Sequence, residues 1–377
     1  MEKIRRFICI LIPNTKCNFK CQYCYLQHSH IEDKGSEAFK FPPETFRKAF
    51  SRARMGGTCM VNFTAHGETM LSPQLPDYVR VMLEEGHFVE VVTNATITKA
   101  IEKFLEFPKE LLSHLMFKCS FHWAELKKRN LLQRFFLNVK MARAAGASIT
   151  VELMPHDEIL SDIDEIIETT TKEIGAPCHV TVGRDASCRG SLPLLTKLSR
   201  DDYKNAWSRF DSKLFEYKLS VFEKKQLGFC YAGDWMFVLD IGSGLISQCY
   251  QGYKTIRPFE DVEKPVRFSA IGNCCPEPHC YNAHAWLTFG CCPTADAPYY
   301  DEVRNRKCVD GSEWLTPEVK AFFHQKFQDT NSKYSFLKRF LINCEMRLRR
   351  GVRERRIWAQ PIRILFLTFR GVYRYMH

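Results

Sequence analysis

The 377-residue chain has no apolar run that approaches the ~18 residues of a membrane-spanning helix, so no transmembrane helix is expected. Its N-terminus offers a charged start and the short apolar stretch Phe7 to Ile12. That stretch runs into Asn14, Thr15 and Lys16 without a small-residue cleavage site, and reads as a buried strand rather than a signal peptide. The body of the chain also lacks charge excess. The net charge is +11, but from Ser332 onward twelve Lys or Arg face only two Glu. The rest is close to neutral, which argues against a basic groove for nucleic acid in the main domain. An even cysteine count is missing too, since there are 17. So many thiols without a secretion signal fit metal binding in a reducing cytoplasm better than a disulfide scaffold.

What is present begins with Cys17, Cys21 and Cys24 in the run Thr-Lys-Cys-Asn-Phe-Lys-Cys-Gln-Tyr-Cys-Tyr, spaced Cys-x3-Cys-x2-Cys. A four-iron cluster normally takes four thiolates, so three on one loop leave one iron open to another ligand. A structural zinc site closed by His28 or His30, or disulfides, are the alternatives.

Six strand-then-helix repeats are legible up to about residue 190. The strands are Phe7 to Ile12, Cys59 to Thr64, Phe88 to Thr93, Leu115 to Phe121, Ser148 to Met154 and His179 to Val182. Pro43 opens the first helical pattern, and Asn130 is read as the cap of a helix over Leu131 to Ala145 that stops at Gly146. This alternation predicts parallel strands with helices outside, an α/β partial (β/α)6 TIM-like barrel. Functional groups then gather at the C-terminal strand ends.

The cysteine triplet, with Tyr23 before its third member, resembles the signature of the radical S-adenosylmethionine (radical SAM) enzymes. The resemblance implies a [4Fe-4S] cluster on Cys17, Cys21 and Cys24 whose open iron chelates S-adenosylmethionine. Reductive cleavage of that cofactor to a 5′-deoxyadenosyl radical, and abstraction of a substrate C–H hydrogen, would follow. An electron donor such as flavodoxin or ferredoxin is the implied partner. Thr64-Ala65-His66-Gly67-Glu68-Thr69 resembles the family's Gly-Gly-Glu strand end, with His66 in the first glycine position. A glycine there could supply a backbone conformation that a side chain resists. By the same resemblance Tyr23 flanks the adenine, Gly67 and Glu68 position the methionyl amine, Ser120 and Glu152 reach the ribose, and Lys128 or Arg129 meets the cofactor carboxylate. The other reading is that Thr93 and Asn94 cap a helix and that Glu152 pairs with a core cation. His122 is a candidate substrate-side acid or base, or else a surface histidine.

After a linker helix read over Asp201 to Lys225, eight cysteines fall between positions 230 and 308. Cys230 and Cys249 bracket two apolar strands joined by a Gly-rich turn, and their Cys-x13-Gly-x4-Cys spacing resembles half of the SPASM and twitch auxiliary-cluster motif. The remainder of that motif is broken, with Ile271 and His284 at flanking positions. The resemblance implies one or two auxiliary iron–sulfur clusters, the first held by Cys230, Cys249 and two of Cys275, Cys280, Cys291 and Cys292, with His284 a possible nitrogen ligand for the second. Cys9, Cys59, Cys119, Cys178, Cys188 and Cys344 have no ligand-like partners nearby and read mostly as core residues.

The expected domains are a barrel over 1–200, a linker over 201–228, an auxiliary-cluster domain over 229–310 and a basic helical tail over 311–377. Arginines interleaved with Ile357 to Tyr375 suggest a helix on an anionic membrane surface, placing the protein in the cytoplasm at the inner face of the membrane. A terminal helix packed on the barrel is the alternative, with nucleic-acid contact behind it. Little sequence precedes the first strand, so no N-terminal leader-peptide-binding domain is expected. That favours a carbohydrate or lipid-linked saccharide as substrate over a peptide or protein to be matured. The rival outside the enzymes is a non-catalytic cysteine-rich protein that binds zinc or nucleic acid.

Overall fold

The computed structural model describes residues 2–24, 35–185, 187–188, 192–250 and 252–354. His28, His30 and the stretch from Arg355 to the end lie outside them. The described residues form one mixed sheet: β1 (Ile4–Ile12), β2 (Thr58–Ala65), β3 (Phe88–Thr93), β4 (Leu115–Phe121), β5 (Ser148–Leu153), β6 (His179–Val180), β7 (Met236–Asp240), β8 (Leu245–Ser247) and β9 (Thr255–Ile256). Their order is β6-β5-β4-β3-β2-β1-β7-β8-β9. Every pair from β6 to β7 is parallel. This is the partial TIM-like α/β barrel expected from the repeats.

The helices include α1 (Pro43–Ala49), α2 (Leu75–Glu84), α3 (Thr98–Leu105), α4 (Leu132–Ala144), α5 (Ile163–Ile174), α6 (Arg200–Ser208), α7 (Lys213–Val221) and α8 (Phe336–Arg353), with further short ones between them. The period-2 alternation of each strand divides its side chains between two cores. Ile8, Ile10 and Ile12 of β1 join the outer core under the helices, with Phe46, Val79 and Phe104. Phe7, Met60, Phe88 and Met116 turn into the barrel and meet residues from the C-terminal third. There the ring of Phe88 stacks on Phe322 with centroids 3.9 Å apart. This apolar plug closes the barrel at the N-terminal ends of its strands and leaves the C-terminal mouth for function.

Three local readings change. Asn130 does not cap α4. It adopts a left-handed φ of 55° and ends the short preceding helix Trp123–Lys128, its N–H bonding Lys127 O, while Leu131 stands at the start of α4. The single linker helix is two, α6 and α7, broken at Asp211 with φ 47°. Ser212 restarts the chain, its Oγ accepting from Phe215 N at 3.4 Å and from Val180 N at 3.1 Å. The break thus lets one hydroxyl cap α7 and hold the end of β6. Finally, the first strand of the Cys230–Cys249 hairpin, β7, pairs in parallel with β1 and continues the barrel sheet. The pairing is natural for so apolar a strand, which is buried on both faces.

Because Ser212 serves two elements, Ser212→Ala should lower the free energy of unfolding by about 1–3 kcal/mol in urea titration. The loss should exceed that of Ser199→Ala, whose hydroxyl accepts only the α6 cap bond from Asp202 N. Equal losses would show that the tie to β6 contributes nothing.

Candidate active site

The cysteine loop leaves β1 at the barrel mouth and is fastened to the end of β2 by backbone and amide bonds. Gly67 N donates to Asn14 O and Glu68 N to Lys16 O, each at 2.9 Å. Asn14 Nδ2 donates to Glu68 O at 2.6 Å. The two segments lie so close that a Cβ on residue 67 would stand 2.1 Å from Lys16 O and 2.8 Å from Thr15 C. Residue 67 must therefore be glycine for lack of space. Neither His66 nor Gly67 has a positive φ, so histidine meets no backbone penalty in the first position of the motif.

Glu68 is buried, and its carboxylate is fully engaged by the protein. It accepts from Met70 N at 3.0 Å, Thr93 Oγ1 at 2.5 Å and Asn94 N at 2.7 Å. Burial pushes its pKa up, against the pull of these donors. Its side chain therefore locks the end of β2 to the end of β3, and what it presents to a ligand is backbone. Asn94 extends the brace, donating to Asn18 Oδ1 at 2.7 Å while Asn18 Nδ2 donates to Thr96 Oγ1 at 2.9 Å. Asn14 and Asn18 are functional residues that the cysteine spacing alone did not point out. Their place beside the cysteines was the available signal.

Of the three thiols, Cys17 is exposed, Cys24 half-buried and Cys21 buried. Burial, and after it the charge of Glu68 near Cys17 and of Glu125 near Cys21, pushes Cys17 up to about 11 and Cys21 up to about 12. They are protonated as free thiols and become thiolates only when a metal displaces the proton. Phe19 N already donates to Cys17 Sγ at 3.4 Å, the kind of bond that tunes an iron–sulfur ligand. Among the described residues no three Cys, His, Asp or Glu close around a single ion position. A four-iron cube instead takes its thiolates at separate corners, and three thiols of graded depth on a loop braced from two strands fit that donor set.

Tyr23 and His122 come together. The Tyr23 hydroxyl lies 2.6 Å from His122 Nδ1, and its ring lies 4.5 Å from that of His156. Burial lowers His122 to about 4, so the imidazole is neutral and its Nδ1 shares one hydrogen bond with the phenol. His122 thus holds Tyr23 in place. Arg129 borders the loop, with Nε 2.8 Å from Glu125 Oε2 and its guanidinium 5.6 Å from the centre of the Phe19 ring. Lys128 is exposed on the short helix. Ser120 and Glu152 are register partners on β4 and β5. Glu152 is claimed by cations, with Arg304 Nη1 at 2.6 Å and Lys118 Nζ at 3.4 Å. Burial alone would raise its pKa, but Lys118 and Arg304 hold the carboxyl well below the usual range. Lys118 was legible as a charge on the lumen face of an apolar strand; Arg304, far away in sequence, was not.

The second cysteine group lines one cavity, where Cys230, Cys249, Cys275, Cys280 and Cys292 face Tyr250 and Trp286. Cys291 Sγ lies 4.0 Å from Cys230 Sγ. Cys274 points elsewhere, donating to Asn343 O of α8 at 3.7 Å, and His284 does not line the cavity. Cys308 is buried against Ile174 O. Cys9, Cys59, Cys119 and Cys178 are buried as expected, whereas Cys188 and Cys344 are exposed.

A family model described as the radical SAM superfamily matches residues 11–170. No curated protein matches the chain by sequence. Among solved structures, SuiB from Streptococcus suis is 13% identical over 68% of this chain and 64% of that one, with a TM-score of 0.48. SuiB bound to its precursor peptide SuiA gives 15%, 68%, 63% and 0.46. A structure of anSMEcpe with bound AdoMet gives 12%, 68%, 76% and 0.45. The chain thus spans less than two thirds of SuiB, and likeness this low carries neither substrate nor mechanism.

The close packing at residue 67 makes Gly67→Ala the sharpest test of the site. The variant should lose most of its reconstituted iron at the cysteine loop while its far-ultraviolet circular dichroism stays that of the wild type. Full retention of iron would show that the loop does not depend on this contact. With three thiols at the mouth of the parallel barrel, a glycine on which their loop rests, and the family match across the same strands, residues 11–170 form a domain that matches the radical SAM superfamily.

Proposed function

We propose that this protein is a radical SAM enzyme with at least one auxiliary iron–sulfur cluster, acting on a substrate held in the barrel lumen. The observation that carries the reading is the cysteine loop fixed at the barrel mouth by Gly67, Asn14 and the Glu68 brace. Cys17, Cys21 and Cys24 would hold the [4Fe-4S] cluster. The cluster and S-adenosylmethionine together supply a 5′-deoxyadenosyl radical able to take hydrogen from an unactivated carbon, chemistry beyond acid–base side chains. The protein's own part is placement. Tyr23, steadied by His122, offers a ring at the adenine side, and Arg129 beside Phe19 offers a cation for the cofactor carboxylate. Ser120 presents a hydroxyl on the lumen wall. Glu152, bound to Lys118 and Arg304, belongs to the lumen's ion-pair network, which supports a substrate-side role better than a ribose contact.

Cys230, Cys249 and two of Cys275, Cys280, Cys291 and Cys292 would hold the auxiliary cluster in their common cavity. Such a cluster would exchange electrons with the substrate side, and a small redox protein such as flavodoxin or ferredoxin would supply the first electron. The lumen supports a polar substrate, because Asn62, Glu90, Lys118 and Glu152 line strands that are otherwise apolar. A saccharide, free or lipid-linked, fits that lining. A peptide or protein is the alternative for the same chemistry.

Anaerobic reconstitution followed by iron and sulfide analysis tests the assignment. The triple variant Cys17→Ala, Cys21→Ala, Cys24→Ala should lose about four irons, retain about four, and release no 5′-deoxyadenosine under dithionite. Wild-type protein that takes up zinc rather than iron, and leaves S-adenosylmethionine intact, would sink the proposal.

A further inference from the structure

The barrel lumen contains more positive charge than the protein itself neutralises. Glu90 is engaged by Asn62 and by the Tyr300 hydroxyl at 2.6 Å. Glu152 is shared between Arg304 and Lys118 through one oxygen, Oε2. That leaves Lys218 of α7, which makes no ion pair among the described residues and donates only to Thr181 Oγ1. The alternation of β6 places this hydroxyl on the lumen side: His179 is the register partner of Glu152, and Thr181 lies two residues further on, at the mouth. Arg304 adds a second unmet demand. Its side chain is fully buried, yet Nε and Nη2 have no acceptor. Those two nitrogens share one edge of the planar guanidinium, a fork matched to a carboxylate or a phosphate. Arg304 follows the turn Asp301–Val303, which packs against α7, so the lysine and the fork belong to one wall.

We propose that the substrate carries an oxyanion, a carboxylate or a phosphate, which Lys218 receives at the lumen wall beside Lys118 and the Arg304–Glu152 pair. The proposal rests on the radical SAM reading for its substrate, but not for its anion. A part-buried ammonium without an ion-pair partner is costly, and a ligand that brings the charge removes the cost. Burial first, and then the neighbouring cations against the pull of Glu152, lowers Lys218 to about 7, consistent with a site short of one anion. The competing account is that Lys218 offsets the negative charge of an auxiliary thiolate cluster, since α7 also packs against the turn Ala283–Trp286 of the cysteine-rich segment.

The test is calorimetric titration of the reconstituted full chain with inorganic phosphate, succinate and neutral glycerol at constant ionic strength. Saturable binding of phosphate or succinate, at least tenfold weaker in Lys218→Gln and restored in Lys218→Arg, is expected; which anion binds identifies the group. Lys213→Gln, on the exposed side of α7, should bind as the wild type does. No saturable anion binding, or equal affinity in Lys218→Gln, overturns the proposal. So does a Lys218→Gln variant whose only change is in iron content or cluster spectrum. Release of 5′-deoxyadenosine is followed in parallel, so that anion binding by a protein unable to cleave S-adenosylmethionine would fault the enzymatic reading alone.

A separate observation on α8 carries a second inference. Ile342 and Met346 seat this helix on the body, while Phe336, Leu337, Phe340, Leu341 and Leu348 are 86%, 65%, 56%, 57% and 42% exposed. At 100° per residue these five form one stripe directly opposite the seated one. By the same angles Lys338 and Arg350 border the stripe and Arg347 lies within it, and after Glu354 the sequence adds five arginines and no further acid. We infer that this stripe lies on an anionic lipid surface, with the apolar side chains in the interface and the flanking cations on headgroups. Full-chain protein should float with vesicles of phosphatidylcholine and phosphatidylglycerol, but not with phosphatidylcholine alone, and the variant Phe336→Ser, Phe340→Ser, Leu341→Ser should float at least tenfold less. Equal flotation of both proteins overturns the inference, as does a wild-type dimer in light scattering that the variant abolishes without any flotation.

Discussion

The contact on which the site depends is the near-collision between the cysteine loop and the end of β2. A main-chain carbonyl passes where any side chain at residue 67 would begin, and the gain is a pair of backbone hydrogen bonds too short in reach to tolerate movement. Asn14 satisfies both segments, and Glu68 passes the constraint to β3. Three thiols are in this way held by elements that are themselves held by sheet pairing. Of the described loop residues Phe19 and Cys21 enter the core, and the remaining order of the loop is borrowed from the barrel.

The barrel has two different interiors. Between sheet and helices the packing is mainly apolar, as parallel strands buried on both faces require, with polar side chains such as His87 and Asn138 bonded to backbone groups. Inside, the apolar layer is confined to the N-terminal ends, and above it Asn62, Glu90, Lys118 and Glu152 of β2 to β5 meet Tyr300 and Arg304 in hydrogen bonds and ion pairs. The plug therefore does more than add stability. By filling the lower lumen with Phe289, Phe322 and Tyr300 it raises the floor, and the polar layer above becomes a shallow chamber below the cysteine loop rather than a channel.

Much of this was legible in the chain. The six strands and the cysteine loop announce themselves by local signals, namely short β-branched runs and close thiol spacing, which need no knowledge of the rest of the molecule. The misreadings have one cause. Asn130 looks like a cap and Asp201 to Lys225 like one helix because local propensity decides both, while tertiary demand overrides it: Ser212 has to reach back to β6. Arg304 was invisible for the opposite reason, because its partner Glu152 lies 152 residues away. The carboxylate itself was read either as a cofactor contact or as half of a core ion pair, and only the fold reveals which cations answer it.

The parallel pairing of β7 with β1 bears on how the molecule can be divided. The cysteine-rich segment is not hung from the barrel by a linker; its first strand supplies hydrogen-bond partners along Phe7 to Leu11, the strand that leads directly into the cysteine loop. A protein shortened to its barrel would bare that row of amides and carbonyls at the centre of a nine-strand sheet and become an edge prone to pairing with other chains. The two cysteine-bearing segments are therefore one folding unit, and evolution could not have exchanged the second for another without rebuilding the wall beside the first.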